Sequence, residues 1–253
     1  MIPNVGDKYD ADARFSPADA VGAQGDGLPD VPPAVVLGYQ SELTDAVRER
    51  SDDHLEVVRG QRVDLLSEAV GYVAVHESGI GAPVTAIVAE NVVAAGAEAV
   101  AMLGGGASLQ PEIAPDAAVL PTDAIRDEGV SYHYVPPDEP VIATASLVDE
   151  LDASLSRAGF DTPRGTTWTT SAMYRETIPE VERYREEGVV TLCMESAALW
   201  AVAEYRGADA ATVHEIGDYL APDEWVPEAD ADRGLPEMLG PTVEALARHV
   251  DAR

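Results

Sequence analysis

The chain has one cysteine, one lysine (Lys8) and only two phenylalanines, and aromatic residues make up 6% of its 253 positions. A single cysteine, Cys193, excludes an intrachain disulfide and a cysteine-rich metal site, and a reducing interior is then the simplest compartment. No stretch is apolar for the roughly 20 residues of a membrane span. The N-terminus is acidic rather than basic-then-apolar, unlike a secretory signal. The expectation is a cytoplasmic protein with no membrane partner. Cations are scarce as well: 16 Lys+Arg against 46 Asp+Glu give a formal net charge of −30. That field repels duplex nucleic acid, so no nucleic-acid partner is expected.

Against these scarcities, 46% of residues are hydrophobic, far more than an acidic disordered chain carries. The length suffices for one large domain with a substantial core. An acidic, almost lysine-free surface fits a high-salt cytoplasm, where salt screens the self-repulsion of a dense carboxylate coat. An acidic face for a basic partner is the alternative.

Residues 1–32 are rich in Asp, Gly, Ala and Pro without a sustained period, and read as an N-terminal arm or irregular lead-in, resting on a neighbouring subunit in one version. The remainder, 33–253, reads as a single domain. Ala34 to Leu37 is a short apolar strand ending at Gly38, and Ser41 to about Arg50 is helical with Ser41 as N-cap. Val70 to His76 is a strand, Val84 to Ala95 a helix, and Ala99 to Leu103 a buried strand opening into a Gly104-Gly105-Gly106 loop. Strands follow at Ala117 to Thr122, Arg164 to Thr170, Val189 to Cys193 and Ala210 to Glu215. Helices are expected at Ala145 to Ala158, Ile178 to Glu187, Glu195 to Tyr205 and Pro236 to Ala252. Apolar strands alternating with helices predict an α/β fold, a three-layer α/β/α sandwich with a central mixed sheet. Ligands then sit beyond the carboxyl ends of strands, which directs attention to the positions after Leu37, His76, Leu103, Cys193 and Glu215.

Two carboxylates stand at such ends. Glu195, in Cys193-Met194-Glu195-Ser196-Ala197-Ala198, can accept hydrogen bonds from vicinal hydroxyls, with Met194 packing on a sugar face. It can equally be a first-turn glutamate complementing the helix dipole. Asp218, in Glu215-Ile216-Gly217-Asp218, can protonate a departing base if burial raises its pKa, or can merely cap the next turn.

The stretch Met194 to Ala198 resembles the ribose-binding signature of the uridine and hexameric purine nucleoside phosphorylases. The resemblance extends through Ser78-Gly79-Ile80-Gly81-Ala82-Pro83, Leu109-Gln110-Pro111 and Ser131-Tyr132-His133-Tyr134-Val135-Pro136, in order and in register from Val35 to about Leu220. It implies that Met194, Glu195 and His133 hold ribose, that Asp218 protonates the purine N7, and that Met173 and Tyr174 meet the base. Read alone, His133 is also an ordinary loop histidine. The Gln and Arg by which uridine phosphorylases read uracil are Thr177 and Pro179 here, which favours a purine. The residue before the methionine, usually acidic in that family, is Cys193.

The phosphate site departs from the family pattern. Where the family carries an arginine in the first βα turn this chain has Glu42, and the later arginine and threonine are Met102 and Gly105. A carboxylate in place of a cation repels a phosphate dianion. Backbone N–H groups of Gly104 and Gly105 remain as anion donors. Arg59 or Arg62 matches an arginine lent across a subunit interface, with Arg175 as a further replacement; each can also be a surface side chain. Two mechanisms follow: phosphorolysis to ribose 1-phosphate, and hydrolysis with Glu42 holding water, as in nucleosidases of the same fold. A nucleoside binder without catalysis is a third reading.

The five histidines form no ligand spacing, so no metal and no cofactor is expected beyond phosphate as co-substrate. His214 reads as a satisfied core histidine and Cys193 as a packing residue. The resemblance implies nucleoside and phosphate as small-molecule partners and a homo-oligomer, a dimer or a hexamer built as a trimer of dimers.

Overall fold

The β-branched run Ala34–Gly38 (β1) is buried along its whole length, which only a central strand covered on both faces allows. A computed structural model describes residues 8–22, 27–50, 52–221, 224–227, 229, 231 and 233–253. In it β1 is flanked by two parallel neighbours, Val70–Ala74 (β4) and Ala99–Ser108 (β5). An antiparallel edge of His54–Glu56 (β2) and Arg62–Leu65 (β3) extends the sheet beyond β4.

On its other side the sheet closes. β5 runs parallel to Asp209–Leu220 (β9) over its full length, and β9 meets the start of Ala118–Asp127 (β6). β6 pairs with Arg164–Thr170 (β7), β7 with Thr191–Cys193 (β8), and β8 returns to β5 at Ala107 and Ser108. Five strands therefore form a ring, and Trp225–Val226 (β10) adds an antiparallel edge to β9.

Helices cover both faces. Ser41–Arg48 (α2 in chain order, after a short α1 at Pro17–Gly22), Ala145–Arg157 (α4) and Leu235–Asp251 (α7) pack together on one side. Ala82–Ala94 (α3) and Ser196–Arg206 (α6) pack on the other. Ile178–Glu186 (α5) closes the ring side through Val181. The expected three-layer α/β/α arrangement with a mixed sheet is present. Within the described residues no helix is long and apolar enough to cross a membrane.

α6 fixes the site most directly. Ser196 to Ala203 are all buried, so this helix is enclosed on every side rather than amphipathic. Small residues at Ala197, Ala198, Ala201 and Ala203 let α3 approach closely, and Leu199 and Trp200 fill the core. Emptying the Leu199 position costs about 2–5 kcal/mol by loss of burial plus the cavity left behind. A helix held this firmly gives its N-terminal residue little freedom.

Several expected boundaries shift. The glycine triplet is not a loop: β5 continues through Gly104, Gly105 and Gly106 because β9 pairs with each of them. On the opposite edge, β1 ends against Leu103 and β8 begins only at Ala107, so the strand is unpaired there. Helix α2 begins after Gln40, not Ser41, as N-cap, and Gln40 makes no side-chain capping bond. Strand β9 runs on to Leu220, so Asp218 belongs to the strand and not to a following turn. Of the lead-in 1–32, residues 1–7 and 23–26 lie outside the described residues. The rest carries the α1 helix, which packs on this chain's own α3, and Tyr9, whose hydroxyl donates to the Tyr132 carbonyl at 3.0 Å.

Candidate functional site

Where β5 is left unpaired, a cavity of about 700 Å³ opens. Its wall draws on the segments following β1 (Tyr39, Gln40), β4 (Ile80) and β8 (Met194, Glu195), and on β5 and β9 themselves (Gly105, Gly106, Gly217, Asp218). These are the strand ends at which an α/β sheet offers space to a ligand.

Glu195 is 6% exposed and stands as N-cap of α6 without capping it. Instead it reaches across the sheet: Oε1 accepts from the Gly81 N–H at 2.8 Å and Oε2 from the Met194 N–H at 2.9 Å. Gly81 has φ +88°, a conformation side chains resist, and that turn is what aims its N–H at the carboxylate. Each oxygen keeps a free lone pair, so the carboxylate plane is fixed before any ligand arrives. Burial pushes the Glu195 carboxyl up to about 7, with the Cys193 thiol adding to the rise and the two N–H groups opposing it.

Behind it lies a closed set of small polar side chains. Cys193 Sγ is 3.2 Å from Ser196 Oγ, Ser196 Oγ is 3.2 Å from Thr212 Oγ1, and Thr191 Oγ1 is 3.0 Å from His214 Nδ1. Cys193 is thus buried, as expected, but among hydroxyls. His214 is only half satisfied, because its buried Nε2 has no partner among the described residues, and burial lowers its pKa to about 4, so it is neutral.

Asp218 faces the cavity because of a β-bulge. Gly106 pairs with Ile216 and Ala107 with Asp218, so Gly217 is the extra residue. Without it Asp218 would share the face of Ile216, which is 1% exposed in the ring's interior; the bulge turns Asp218 to the opposite side. Burial raises its pKa, opposed by a 2.6 Å hydrogen bond from the Trp225 indole N–H.

Of the residues singled out from sequence, Asp218, Met194, Glu195, Met173, Tyr174 and Gly105 line this cavity. Met173 and Tyr174 are exposed at its rim together with Ile80 and Trp225. Gly104 is one residue further along β5. Five others are not brought there. Glu42 is exposed in the first turn of α2, near Glu215 rather than in the wall. His133 is exposed and hydrogen-bonded to Lys8. Arg62 is bound to the buried Asp64 at 2.5 Å, and Arg59 lies exposed in the turn joining β2 to β3. Arg175 is exposed and outside the wall as well. Met102, at the position of an expected arginine, is an apolar part of the lining.

Gln40, Trp225 and Glu176 also line the cavity and were not anticipated as site residues. Gln40 rests on Gly105, where a Cβ would meet its Nε2 at 2.8 Å, and its buried Oε1 has no partner among the described residues. Trp225 holds Asp218. Glu176 is half-buried, and burial together with the charge of Asp218 pushes its carboxyl up to about 7. Among the described residues the lining has three carboxylates and no Lys, Arg or His.

A description of the phosphorylase superfamily matches residues 32–238. A guanosine phosphorylase of Halorubrum lacusprofundi is 26% identical over 172 residues, 68% of this chain and 70% of that protein. A uridine phosphorylase of Haemophilus influenzae is 29% identical over 112 residues, which are 44% of this chain and 43% of that protein, under half its length. In three dimensions the fold is shared with an AMP nucleosidase of Bacteroides thetaiotaomicron, with a TM-score of 0.69 at 22% identity over 88% of this chain and 90% of that one. With the matched span enclosing every wall segment of the cavity, the chain belongs to the phosphorylase superfamily.

Proposed function

We propose that this protein cleaves the N-glycosidic bond of a nucleoside, a purine nucleoside by preference, using phosphate to give free base and ribose 1-phosphate. The observation that carries this reading is that Glu195 and Asp218, on different strands' ends, face one cavity large enough for a nucleoside. Glu195 accepts from the ribose hydroxyls while Met194 packs on the sugar face. The base rests against Met173 and Tyr174. As the C1′–N bond breaks, its electron pair passes to the base, and the Asp218 proton neutralises that charge at N7. A phosphate oxygen bonds to the oxocarbenium-like C1′.

Purine is favoured because Thr177 and Pro179 stand where the resemblance places uracil-reading side chains, and neither lines the cavity. The names of the two relatives divide between guanosine and uridine. The phosphate would rest by the unpaired edge of Gly104 and Gly105, with its charge met by Arg59 of a neighbouring copy in a homo-oligomer. Arg59 supports this role by being exposed, without an ion pair among the described residues, and held at φ +58°. His133 joins the reading on the same terms, as a side chain lent between copies.

A second reading has water as acceptor. It is favoured by a cavity wall with three carboxylates and no cation, and by Gln40 Oε1, an unpartnered acceptor able to take a hydrogen bond from water. The test is nucleoside consumption with and without inorganic phosphate. Phosphate-dependent release of ribose 1-phosphate supports the first reading. Equal rates without phosphate, yielding free ribose, establish the second, and binding without turnover in either buffer defeats both.

A further inference from the structure

We propose that Gln40 selects the acceptor: its carboxamide occupies the slot at the unpaired edge of β5 that a phosphate needs, and phosphate enters when the side chain swings out. This rests on the nucleoside-cleaving reading and names what decides between its two acceptors.

Neighbouring residues of a strand point their Cβ atoms to opposite faces. A Cβ on Gly104 would meet Gln40 Oε1 at 3.4 Å, and one on Gly105 would meet Nε2 at 2.8 Å. One amide close to both positions lies at the strand's edge and on neither face. β9 fills one edge along this stretch, so the amide lies on the other, between the end of β1 and the start of β8. With no Lys, Arg or His among the described lining residues, an anion there depends on backbone N–H groups, and this edge is where β5 lacks a strand partner.

Gly105 is the seat. The 2.8 Å approach leaves no room for a Cβ, and among the described residues nothing but Gln40 stands within 4 Å of that position. The backbone of Gln40 is anchored at the start of α2, where its carbonyl accepts from the Thr44 N–H at 3.3 Å. Its side chain makes no capping bond and turns to β5 instead. Oε1 is buried there with no partner among the described residues, a cost that departure relieves. Leaving the slot therefore breaks no hydrogen bond at Oε1. If the amide fills the slot about nine-tenths of the time, phosphate binding weakens about tenfold. An arriving dianion also meets the carboxylate of Glu215, in register with Gly105 on β9, whereas water brings no charge. With either acceptor an oxygen bonds to C1′ as the bond to the base breaks. The base takes the electron pair, and the acceptor's proton balances the one the base receives.

The experiment titrates inorganic phosphate against the full-length wild type, Q40A, G105A and the double variant with a purine nucleoside, measuring ribose 1-phosphate and ribose together. In Q40A the phosphate concentration for half-maximal ribose 1-phosphate formation should fall about tenfold, and the ribose share at fixed phosphate should fall with it. G105A, whose new Cβ expels the amide, should shift the same way, and the double variant no further than Q40A. An unchanged or raised half-saturation in Q40A overturns the proposal, as do additive shifts or a shift in Q40A without one in G105A. If Q40A does not fold, G105A decides alone. Ribose alone in every variant at every phosphate concentration overturns it too, while leaving nucleoside cleavage by water in place. If no variant cleaves nucleoside, that reading fails separately, and calorimetry with inorganic phosphate decides for Gln40. Tighter binding in Q40A than in wild type supports it, and equal, weaker or absent binding overturns it.

Discussion

The indole N–H of Trp225 donates to the Asp218 carboxylate at 2.6 Å, so the proposed proton donor is held by a side chain that is itself 62% exposed. The bond favours the charged carboxylate and opposes the effect of burial. Removing it in W225F should raise the Asp218 pKa further. Because the reaction needs the protonated acid, the alkaline limb of the kcat/KM profile should move to higher pH. A profile that keeps its alkaline limb in W225F would separate Trp225 from the chemistry.

D218N keeps the shape of the side chain but has no acidic proton to give. A loss of about 10²- to 10⁴-fold in kcat is expected, the usual contribution of a positioned general acid. Nucleoside binding, followed by equilibrium dialysis, should persist. Nucleosides with an already good leaving group should suffer least.

Glu195 couples catalysis to stability. Its pKa rises from 4.5 to about 7 on folding, so the folded state binds the proton more tightly than the unfolded chain does. Its share of stability is therefore complete below pH 4.5 and is lost as pH rises through about 7. A shift of this size corresponds to about 3 kcal/mol. In thermal melts across this range the ligand-free wild type should lose stability relative to E195Q as pH rises. E195A should abolish ribose-dependent binding, and full activity in E195A would remove it from the sugar site.

Arg59 is the cation the phosphate reading requires from a neighbouring copy. R59A should raise the KM for phosphate by at least an order of magnitude, with the melting temperature little changed because the side chain is exposed and unpaired among the described residues. Strictly phosphate-independent turnover, indifferent to R59A, would assign the reaction to water.

With a formal charge of −30, self-repulsion opposes folding at low ionic strength. The range of that repulsion shortens from about 10 Å at 0.1 M salt to about 3 Å at 1 M. Melting temperature should climb with KCl over that interval. A flat response would mean that the acidic coat carries little net destabilisation.

Much of the architecture is legible in the residues themselves. The segment Arg164–Thr170 is a strand within its expected bounds, and α4, α5 and α6 lie within one or two residues of theirs. What fails does so where non-local pairing overrides local signals. Gly104-Gly105-Gly106 reads as a loop because glycine punctuates chains, but β9 supplies partners that no local window contains. Asp218 sits two residues beyond Ile216, so simple alternation assigns both to one face; only the Gly217 bulge separates them. Glu176 was overlooked because its meaning lies in Asp218's proximity. Glu42 drew attention through the position of a family arginine, yet its helix starts by turning it outward.

The ring of β5, β9, β6, β7 and β8 also constrains motion. β5 is hydrogen-bonded to β9 throughout and to β1 and β8 at its two ends, so its amides cannot open singly. In deuterium exchange they should be among the last to yield, with protection set by global rather than local unfolding. The distance between the β8 and β9 sides of the cavity is then a rigid gauge, and adjustment to a guest falls to the Met173–Glu176 turn and the Trp225 hairpin. Ligand-induced protection should register at those rim segments and leave the β5 amides as slow as before.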